Sequence, residues 1–166
     1  ILYFIKQGNM TMSLLKGNAI VGQSGGPTAA INATLAGVIK GAIADESIGT
    51  LYGAFNGIEG MLRDTVCNLN EIFSNPEDLR VLANTPAAAL GSCRKKLPAP
   101  DDTAPESVAV YEKLLQFFRK YNIRYFFYIG GNDSMDTVAK LSAYLPKAGY
   151  DMRIMGVPKT IDNDVM

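Results

Sequence analysis

The sequence predicts an α/β fold, in which helices flank a mostly parallel β-sheet. Short apolar runs with the character of strands alternate with longer stretches whose apolar residues recur at helical spacing. One run, residues 125–129, is aromatic or β-branched at every position, which is typical of a central parallel strand buried on both faces. The chain has 166 residues and 48% hydrophobic content, enough for about one domain with a packed core.

The first half of the chain is predicted to contain two strands, at 19–22 and 51–55. Between them, residues 29–43 have the apolar spacing of a helix, carried by Ile31, Leu35, Val38, Ile39 and Ala42. Residues 56–60 predict a turn, and a short helix is expected over 76–82.

The second half begins with a loop rich in Pro and Asp over 97–105. A strong amphipathic helix follows over 106–121, with one face formed by Val108, Tyr111, Leu114, Leu115 and Phe118. The buried strand 125–129 leads into a helix over 134–145, which we expect Pro146 to end, and residues 153–157 predict the last strand. The order strand–helix–strand–helix–strand–helix–strand favours parallel pairing.

Composition excludes several classes of function. Sixteen basic and sixteen acidic residues cancel, so neither a nucleic-acid partner nor a membrane surface is indicated. The two cysteines, Cys67 and Cys93, are too few for a disulfide framework and favour a reducing, cytoplasmic setting. Because the chain has no histidine, acid–base work must fall to other side chains and any metal is expected to be a hard cation on oxygen ligands.

The ends of the chain suggest that it is part of something longer. Residues 1–17 do not begin with Met and start with an apolar run too short to span a membrane. We interpret them as a leader or an upstream extension, with a genuine edge strand as the alternative. The sequence stops just after a loop where a helix should follow, so we expect the front part of a longer protein with an incomplete fold.

Three loops carry the polar chemistry. Residues 24–28, 130–134 and 158–164 each follow an apolar run, so all three should open at one edge of the sheet, where α/β proteins bind ligands. Gly25 and Gly26 are expected to lie directly before a helix, where the glycine backbone and a helix N-terminus suit a phosphate. A tight turn would explain the same pair.

The other two loops have similar alternatives. Asp133 and Ser134 are common helix caps, but a carboxylate beside phosphate would need Mg²⁺ or lysine nearby. In the last loop Lys159 could neutralise phosphate, Thr160 could bind substrate and Asp162 could take a proton from a hydroxyl, as phosphoryl transfer requires. A polar turn with local hydrogen bonds is the alternative.

These loops, in this order and spacing, resemble those of the phosphofructokinase family. The matching segments are Gly25-Gly26, Leu90-Gly91-Ser92-Cys93-Arg94, residues 130–134 and residues 158–164, and the resemblance covers nearly the whole chain from Asn18. It implies a Rossmann-like N-terminal domain over residues 18–166 that binds the phosphoryl donor and is truncated before the second domain.

The resemblance also bears on the donor. Family members that use ATP have glycine at the positions of Asp133 and Lys159, whereas members that use pyrophosphate typically carry Asp and Lys. A carboxylate at Asp133 would repel the α-phosphate of ATP, and Lys159 would attract a small, highly charged donor. We therefore expect pyrophosphate, with ATP as the alternative.

The roles of single residues follow from the resemblance. Asp162 resembles the general base for the 1-hydroxyl of fructose 6-phosphate, and Thr160 and Asp164 resemble substrate-binding and supporting groups. Lys159 and Asp133 complete the expected catalytic set. The expected contacts to donor phosphate are Gly25, Gly26, Arg94, Gly131 and Ser134. For Arg94, followed by two lysines, a solvated basic turn is the alternative.

The expected cofactor is Mg²⁺. The first position of the 132–134 segment is a metal ligand in the family, and here it is Asn132, whose neutral carbonyl oxygen is a weaker ligand for a hard cation. A non-catalytic phosphate- or nucleotide-binding module is therefore a further alternative. We expect the parent protein to be a homodimer or homotetramer and this piece alone to show little turnover, because the family completes its sugar site with later residues and a neighbouring subunit.

Overall fold

The computed structural model describes residues 15–159. Thr160, Asp162 and Asp164 lie outside the described residues, as does most of the expected extension. Gly17, the last residue of that extension, is already the first residue of a strand, and its backbone N–H donates to the carbonyl of Ser47 at 3.1 Å. Among residues 15–159, none of the helices combines the length and apolarity that crossing a membrane would require.

Five strands form one sheet in the order β3-β2-β1-β4-β5. Their bounds are β1 Gly17–Gln23, β2 Ile48–Ala54, β3 Val66–Asn68, β4 Ile123–Gly130 and β5 Arg153–Pro158. All neighbours pair in parallel except β3, which runs antiparallel to β2 at one edge. The mostly parallel sheet predicted from the sequence is confirmed.

Between residues 15 and 159, six helices cover the two faces of the sheet. They are α1 Ile31–Ile43, α2 Ile58–Arg63, α3 Leu69–Ile72, α4 Pro76–Asn84, α5 Pro105–Lys120 and α6 Asn132–Lys147. One core cluster joins α1, α3 and α4 to one face, and a second joins α2, α5 and α6 to the other. Phe126 and Tyr128 of β4 are fully buried in the second cluster, whereas Ile129 is fully buried in the first. The central strand is therefore covered on both faces, as its sequence predicted.

Several element predictions need correction. The turn predicted at 56–60 ends earlier than expected, because α2 begins at Ile58, directly after Asn56 and Gly57 with φ values of 55° and 56°. Strand β3 was not predicted, because its three residues are too few to show the alternation of apolar and polar residues that marks a strand. Val108, expected on the buried face of α5, is exposed, while Phe117 is buried.

Pro146 does not end α6, which continues to Lys147. A proline in the last turn removes a single backbone donor, and the turn still closes through the N–H of Ala148, which donates to the carbonyl of Tyr144 at 3.1 Å. The helix therefore ends two residues later than expected from a helix-breaking proline.

The register brings the predicted loops together. Gln23 at the end of β1 is level with Ile129 of β4, and Gly130 is level with Pro158 of β5. Because these three strands are adjacent and parallel, the segments that follow them leave the sheet at the same edge, as predicted.

Candidate functional site

The described parts of the three loops, residues 24–26, 131–134 and Lys159, line a cleft of about 360 Å³ at the carboxyl edge of the sheet. A fourth segment, residues 93–95, forms its remaining wall. The lining residues are Ser24, Gly25, Gly26, Cys93, Arg94, Lys95, Gly131, Asn132, Asp133, Ser134 and Lys159. Every predicted site residue within the described part of the chain therefore lines this cleft.

The loop after β1 is held by the segment around Cys93. Gly25 adopts φ 76°, a left-handed conformation that glycine adopts without strain. Its backbone N–H donates to the carbonyl of Cys93 at 3.1 Å, and the Ser24 hydroxyl donates to the same oxygen at 3.1 Å. The Ser92 hydroxyl donates in return to the carbonyl of Gly25. Helix α1 begins only at Ile31, so the expectation that Gly26 directly precedes a helix is wrong: four residues intervene.

The junction after β4 is the one that places a helix N-terminus at the cleft. Strand β4 ends at Gly130, Gly131 is the N-cap of α6, and the helix begins at Asn132. No side chain caps this end, so the capping role considered for Asp133 and Ser134 is not what the structure shows. Unpaired N–H groups and the positive end of the helix dipole make such a terminus suitable for an anion.

Lys159 ties the third loop to the other two. Its backbone N–H donates to the carbonyl of Gly130 at 2.9 Å, and its Nζ donates to the carbonyl of Gly26 at 2.5 Å. An ammonium carries three N–H donors. Since the described contacts use one of them, the charged group is held at the cleft with capacity for an anion.

Charge in the cleft is predominantly positive. Among the described lining residues, three carry positive charge, Arg94, Lys95 and Lys159, and one is a carboxylate, Asp133. Asp133 pairs with Lys96 at 3.0 Å, and both side chains are more than half exposed, so this ion pair adds little stability. Of the three basic residues in this turn, Lys96 forms an exposed ion pair, as a solvated basic turn would predict. Arg94 and Lys95 line the cleft instead.

A buried tyrosine stands behind the cleft. The Tyr128 hydroxyl lies 3.6 Å from Cys93 Sγ and accepts the Ile58 backbone N–H at 3.4 Å. Burial, the largest cause, raises the pKa of Tyr128 well above its ordinary value. The hydroxyl therefore stays neutral at physiological pH and supports the cleft by packing and hydrogen bonding.

Oxygen ligands for a cation are few within residues 15–159. Asn132 and Asp133 stand together at the start of α6 with exposed side chains. The described residues contain no group of three His, Cys, Asp or Glu side chains that could hold a metal by themselves. This set fits Mg²⁺, which proteins bind through one or two side chains together with waters and substrate phosphates.

Sequence reasoning missed several residues of this region. Ser24, Cys93 and Lys95 line the cleft, and their positions beside predicted site residues were an available signal. Gln23 and Asn32 are buried behind the loops and carried no signal, because they lie inside a strand and a helix.

The fold and the cleft define an α/β protein with a cationic, glycine-rich binding site at the carboxyl edge of a parallel sheet. Residues 18–166 match the phosphofructokinase family. The chain belongs to that family, as its motifs predicted.

Named relatives refine the comparison. The pyrophosphate–fructose 6-phosphate 1-phosphotransferase of Halomonas elongata is 43% identical over 149 residues, which are 89% of this chain and 34% of the relative. The ATP-dependent 6-phosphofructokinase 3 of Bacteroides thetaiotaomicron is 32% identical over 142 residues, 86% of this chain and 38% of the relative. A crystal structure of the pyrophosphate-dependent phosphofructokinase from Nitrosospira multiformis superposes with a TM-score of 0.78 at 39% identity, covering 89% of this chain and 35% of that one. The chain thus spans about a third of the length of these relatives.

Proposed function

We propose that this chain is the donor-binding part of an enzyme that transfers a phosphoryl group from pyrophosphate to the 1-hydroxyl of fructose 6-phosphate. The observation that carries the proposal is the cleft itself, where Lys159 bonds Gly26 and Asp133 stands at the start of α6. Relatives at 37% to 43% identity are named pyrophosphate–fructose 6-phosphate 1-phosphotransferases, which supports the same donor.

The residues that line the cleft favour a phosphoryl donor that carries no nucleobase. Nucleotide sites are usually lined by apolar and aromatic side chains with a few polar groups. No aromatic or large aliphatic side chain is among the described lining residues. An adenine ring would find no apolar wall among them, whereas three cationic side chains and a free helix N-terminus suit a compact polyanion.

The proposed reaction is a direct displacement. The 1-hydroxyl oxygen of the sugar forms a bond to one phosphorus of pyrophosphate while the bridging P–O bond breaks, giving fructose 1,6-bisphosphate and inorganic phosphate. Lys159 and Arg94 would hold the donor and balance the charge on the departing phosphate. The hydroxyl proton goes to a carboxylate, for which Asp162 is the proposed base. Thr160 and Asp164 are proposed to position the sugar.

We include Mg²⁺ in this proposal. Asn132 and Asp133 would hold it with donor oxygens, and the bound ion would neutralise charge on pyrophosphate. Asp133 pairs with Lys96 at 3.0 Å, and binding of the ion would replace this exposed contact.

The decisive experiment supplies pyrophosphate or ATP, in parallel and with Mg²⁺ and fructose 6-phosphate, to the complete gene product that contains this chain. Fructose 1,6-bisphosphate should form with pyrophosphate alone. Turnover with ATP alone would overturn the donor assignment and favour an ATP-dependent 6-phosphofructokinase. Failure with both donors would favour a non-catalytic phosphate- or nucleotide-binding module.

Lys159→Met tests the site within that assay. Removing a charge-assisted hydrogen bond to the donor costs about 1.5–3 kcal/mol, so kcat/KM for pyrophosphate should fall about ten- to a hundredfold. Lys147→Met is the matched control, because Lys147 is exposed in the last turn of α6 at its opposite end. Equal effects of the two substitutions would contradict the role of Lys159.

A further inference from the structure

The segment that carries Arg94 has no regular structure of its own. Between the end of α4 at Asn84 and the start of α5 at Pro105 the backbone forms neither helix nor strand. Ala87 and Gly91 even adopt left-handed conformations, with φ 105° and 71°. The position of Arg94 must therefore be set by contacts with other parts of the molecule.

Two buried amide side chains supply the first of these contacts. Gln23, at the end of β1, is fully buried, and Asn32, in the first turn of α1, is 2% exposed. Gln23 Nε2 donates to Asn32 Oδ1 at 3.1 Å and to the carbonyl of Ile31 at 3.3 Å. The strand and the helix on either side of the glycine loop are thereby joined directly.

The same pair holds the irregular segment. Gln23 Oε1 accepts the backbone N–H of Leu90 at 2.8 Å. Asn32 Oδ1 accepts the N–H of Ala89 at 2.9 Å, and its Nδ2 donates to the carbonyl of Thr85 at 2.9 Å. Rotating either amide by half a turn would place an NH₂ group against a backbone N–H, so the network has one consistent arrangement.

Further bonds carry this placement towards the cleft. The N–H of Asn56 donates to the carbonyl of Leu90 at 2.7 Å, and its side-chain amide donates to the carbonyl of Ser92 at 3.0 Å. The carbonyl of Cys93 then accepts the Gly25 N–H and the Ser24 hydroxyl. The contacts between Thr85 and Cys93 thus lead from the buried pair to Arg94.

We infer that Gln23 and Asn32 are positioning residues that fix Arg94 over the glycine loop and so set the affinity for the phosphoryl donor. The pair lies behind the cleft and acts through the backbone of residues 85–93. Because the network is buried and weakly screened, removing one partner leaves the other polar groups unpaired at a high cost in free energy. The donor named here rests on the proposed function.

Asn18 offers a matched control at the other end of β1. Its Nδ2 donates to the carbonyl of Tyr121 at 2.8 Å and its Oδ1 accepts the N–H of Thr50 at 2.9 Å. Like Asn32, it joins two backbone segments through one donor and one acceptor, but it does so at the amino edge of the sheet, away from the cleft. Substitutions there report the structural cost alone.

The test compares Asn32→Leu with Asn18→Leu, and Asn32→Asp with Asn18→Asp as a second pair that keeps the side-chain shape and one acceptor oxygen but removes the NH₂ donor, all in the complete gene product. We expect both Asn32 variants to raise KM for pyrophosphate at least tenfold while kcat changes less, and the Asn18 variants to leave KM within about twofold. In an Arg94→Met background, Asn32→Asp should add nothing, because the group it positions is gone.

Two results would overturn the inference: equal KM changes at Asn32 and Asn18, or full additivity of Asn32→Asp with Arg94→Met. If the wild-type protein turns over with neither donor, the proposed function fails, and calorimetric titration of inorganic pyrophosphate into the same variants decides the inference separately. A drop in pyrophosphate affinity at Asn32 alone, absent in the Arg94→Met background, would still support it.

Discussion

A pair of adjacent glycines lies at the end of β1 and another at the end of β4, but the two pairs meet the next helix differently. After Gly25-Gly26 the chain runs through four more residues before α1 begins at Ile31. After Gly130 the strand passes directly into α6 through Gly131. The first pair belongs to a loop held from the side by Cys93, and the second to a tight strand-to-helix packing. The same sequence pattern thus serves two structural purposes.

The contacts around single glycines show the difference. A Cβ atom on Gly130 would lie 2.0 Å from Ser134 Oγ and 3.0 Å from the carbonyl oxygen of Ser24, whereas one on Gly26 would meet nothing within 4 Å. Gly130 is therefore required by packing. At Gly26 the described residues leave room for a side chain.

The largest effect in this comparison is expected for Gly130→Ala. The added methyl group collides with the first turn of α6, which must shift, and overpacking of this kind costs about 1–3 kcal/mol. The free energy of unfolding, measured by urea denaturation, should fall by an amount in the upper part of that range. Gly130→Ala combined with Ser134→Gly should recover part of the loss, because Ser134 supplies the nearest atoms. Wild-type stability in Gly130→Ala would contradict the packing role.

An intermediate effect is expected for Tyr128→Phe, which removes the hydroxyl between the two regions. It should cost about 1 kcal/mol at neutral pH, the typical value of one hydrogen bond. Because burial raises the pKa of Tyr128 in the folded protein, its contribution is complete below the unfolded pKa of about 10 and is lost as pH rises above it.

Urea denaturation at pH 8 and pH 10.5 tests whether the Tyr128 contribution to the free energy of unfolding falls as pH rises. The free energy of unfolding should fall more over this interval in the wild-type protein than in Tyr128→Phe, because only the wild type has the Tyr128 hydroxyl. The remaining tyrosines and lysines titrate in both proteins, so their effects cancel in the comparison. An equal loss in the two proteins would show that Tyr128 ionises as easily in the folded state as in the unfolded chain.

The sequence predicted the fold best at the strand ends that carry the candidate site. The strands that end at Gln23, Gly130 and Pro158 were each predicted to end one residue earlier, because their apolar runs stop there at polar segments, and parallel pairing then brings the strand ends together. Local pattern could not predict β3 or α2, since three and six residues are too short for a period. Their positions depend on pairing with β2 and on packing against α5.

The buried amide pair illustrates what local pattern cannot contain. Asn32 occupies a helical position next to Ile31 and Gln23 ends a strand, so each looks like an ordinary polar residue in the sequence. Their partners, the backbone groups of Ala89 and Leu90, lie 57 and 67 residues further along the chain. Only the folded arrangement shows that both amides hold the segment of Arg94.

The smallest effect on stability, and the sharpest functional test of the comparison, is expected for Gly26→Ala. Its backbone does not adopt a left-handed conformation and its Cβ meets open space, so the free energy of unfolding should change by less than about 0.5 kcal/mol. Under the proposed function the methyl group occupies space next to the donor phosphate, beside the Lys159 ammonium that bonds the Gly26 carbonyl. KM for pyrophosphate should therefore rise about tenfold, which corresponds to 1.4 kcal/mol, while KM for fructose 6-phosphate stays within twofold.

If Gly26→Ala instead destabilises the protein as much as Gly130→Ala, the two glycine pairs are equivalent in packing. If it changes neither stability nor KM, the loop after β1 does not touch the donor, and Arg94, Lys159 and the start of α6 must bind it without that loop.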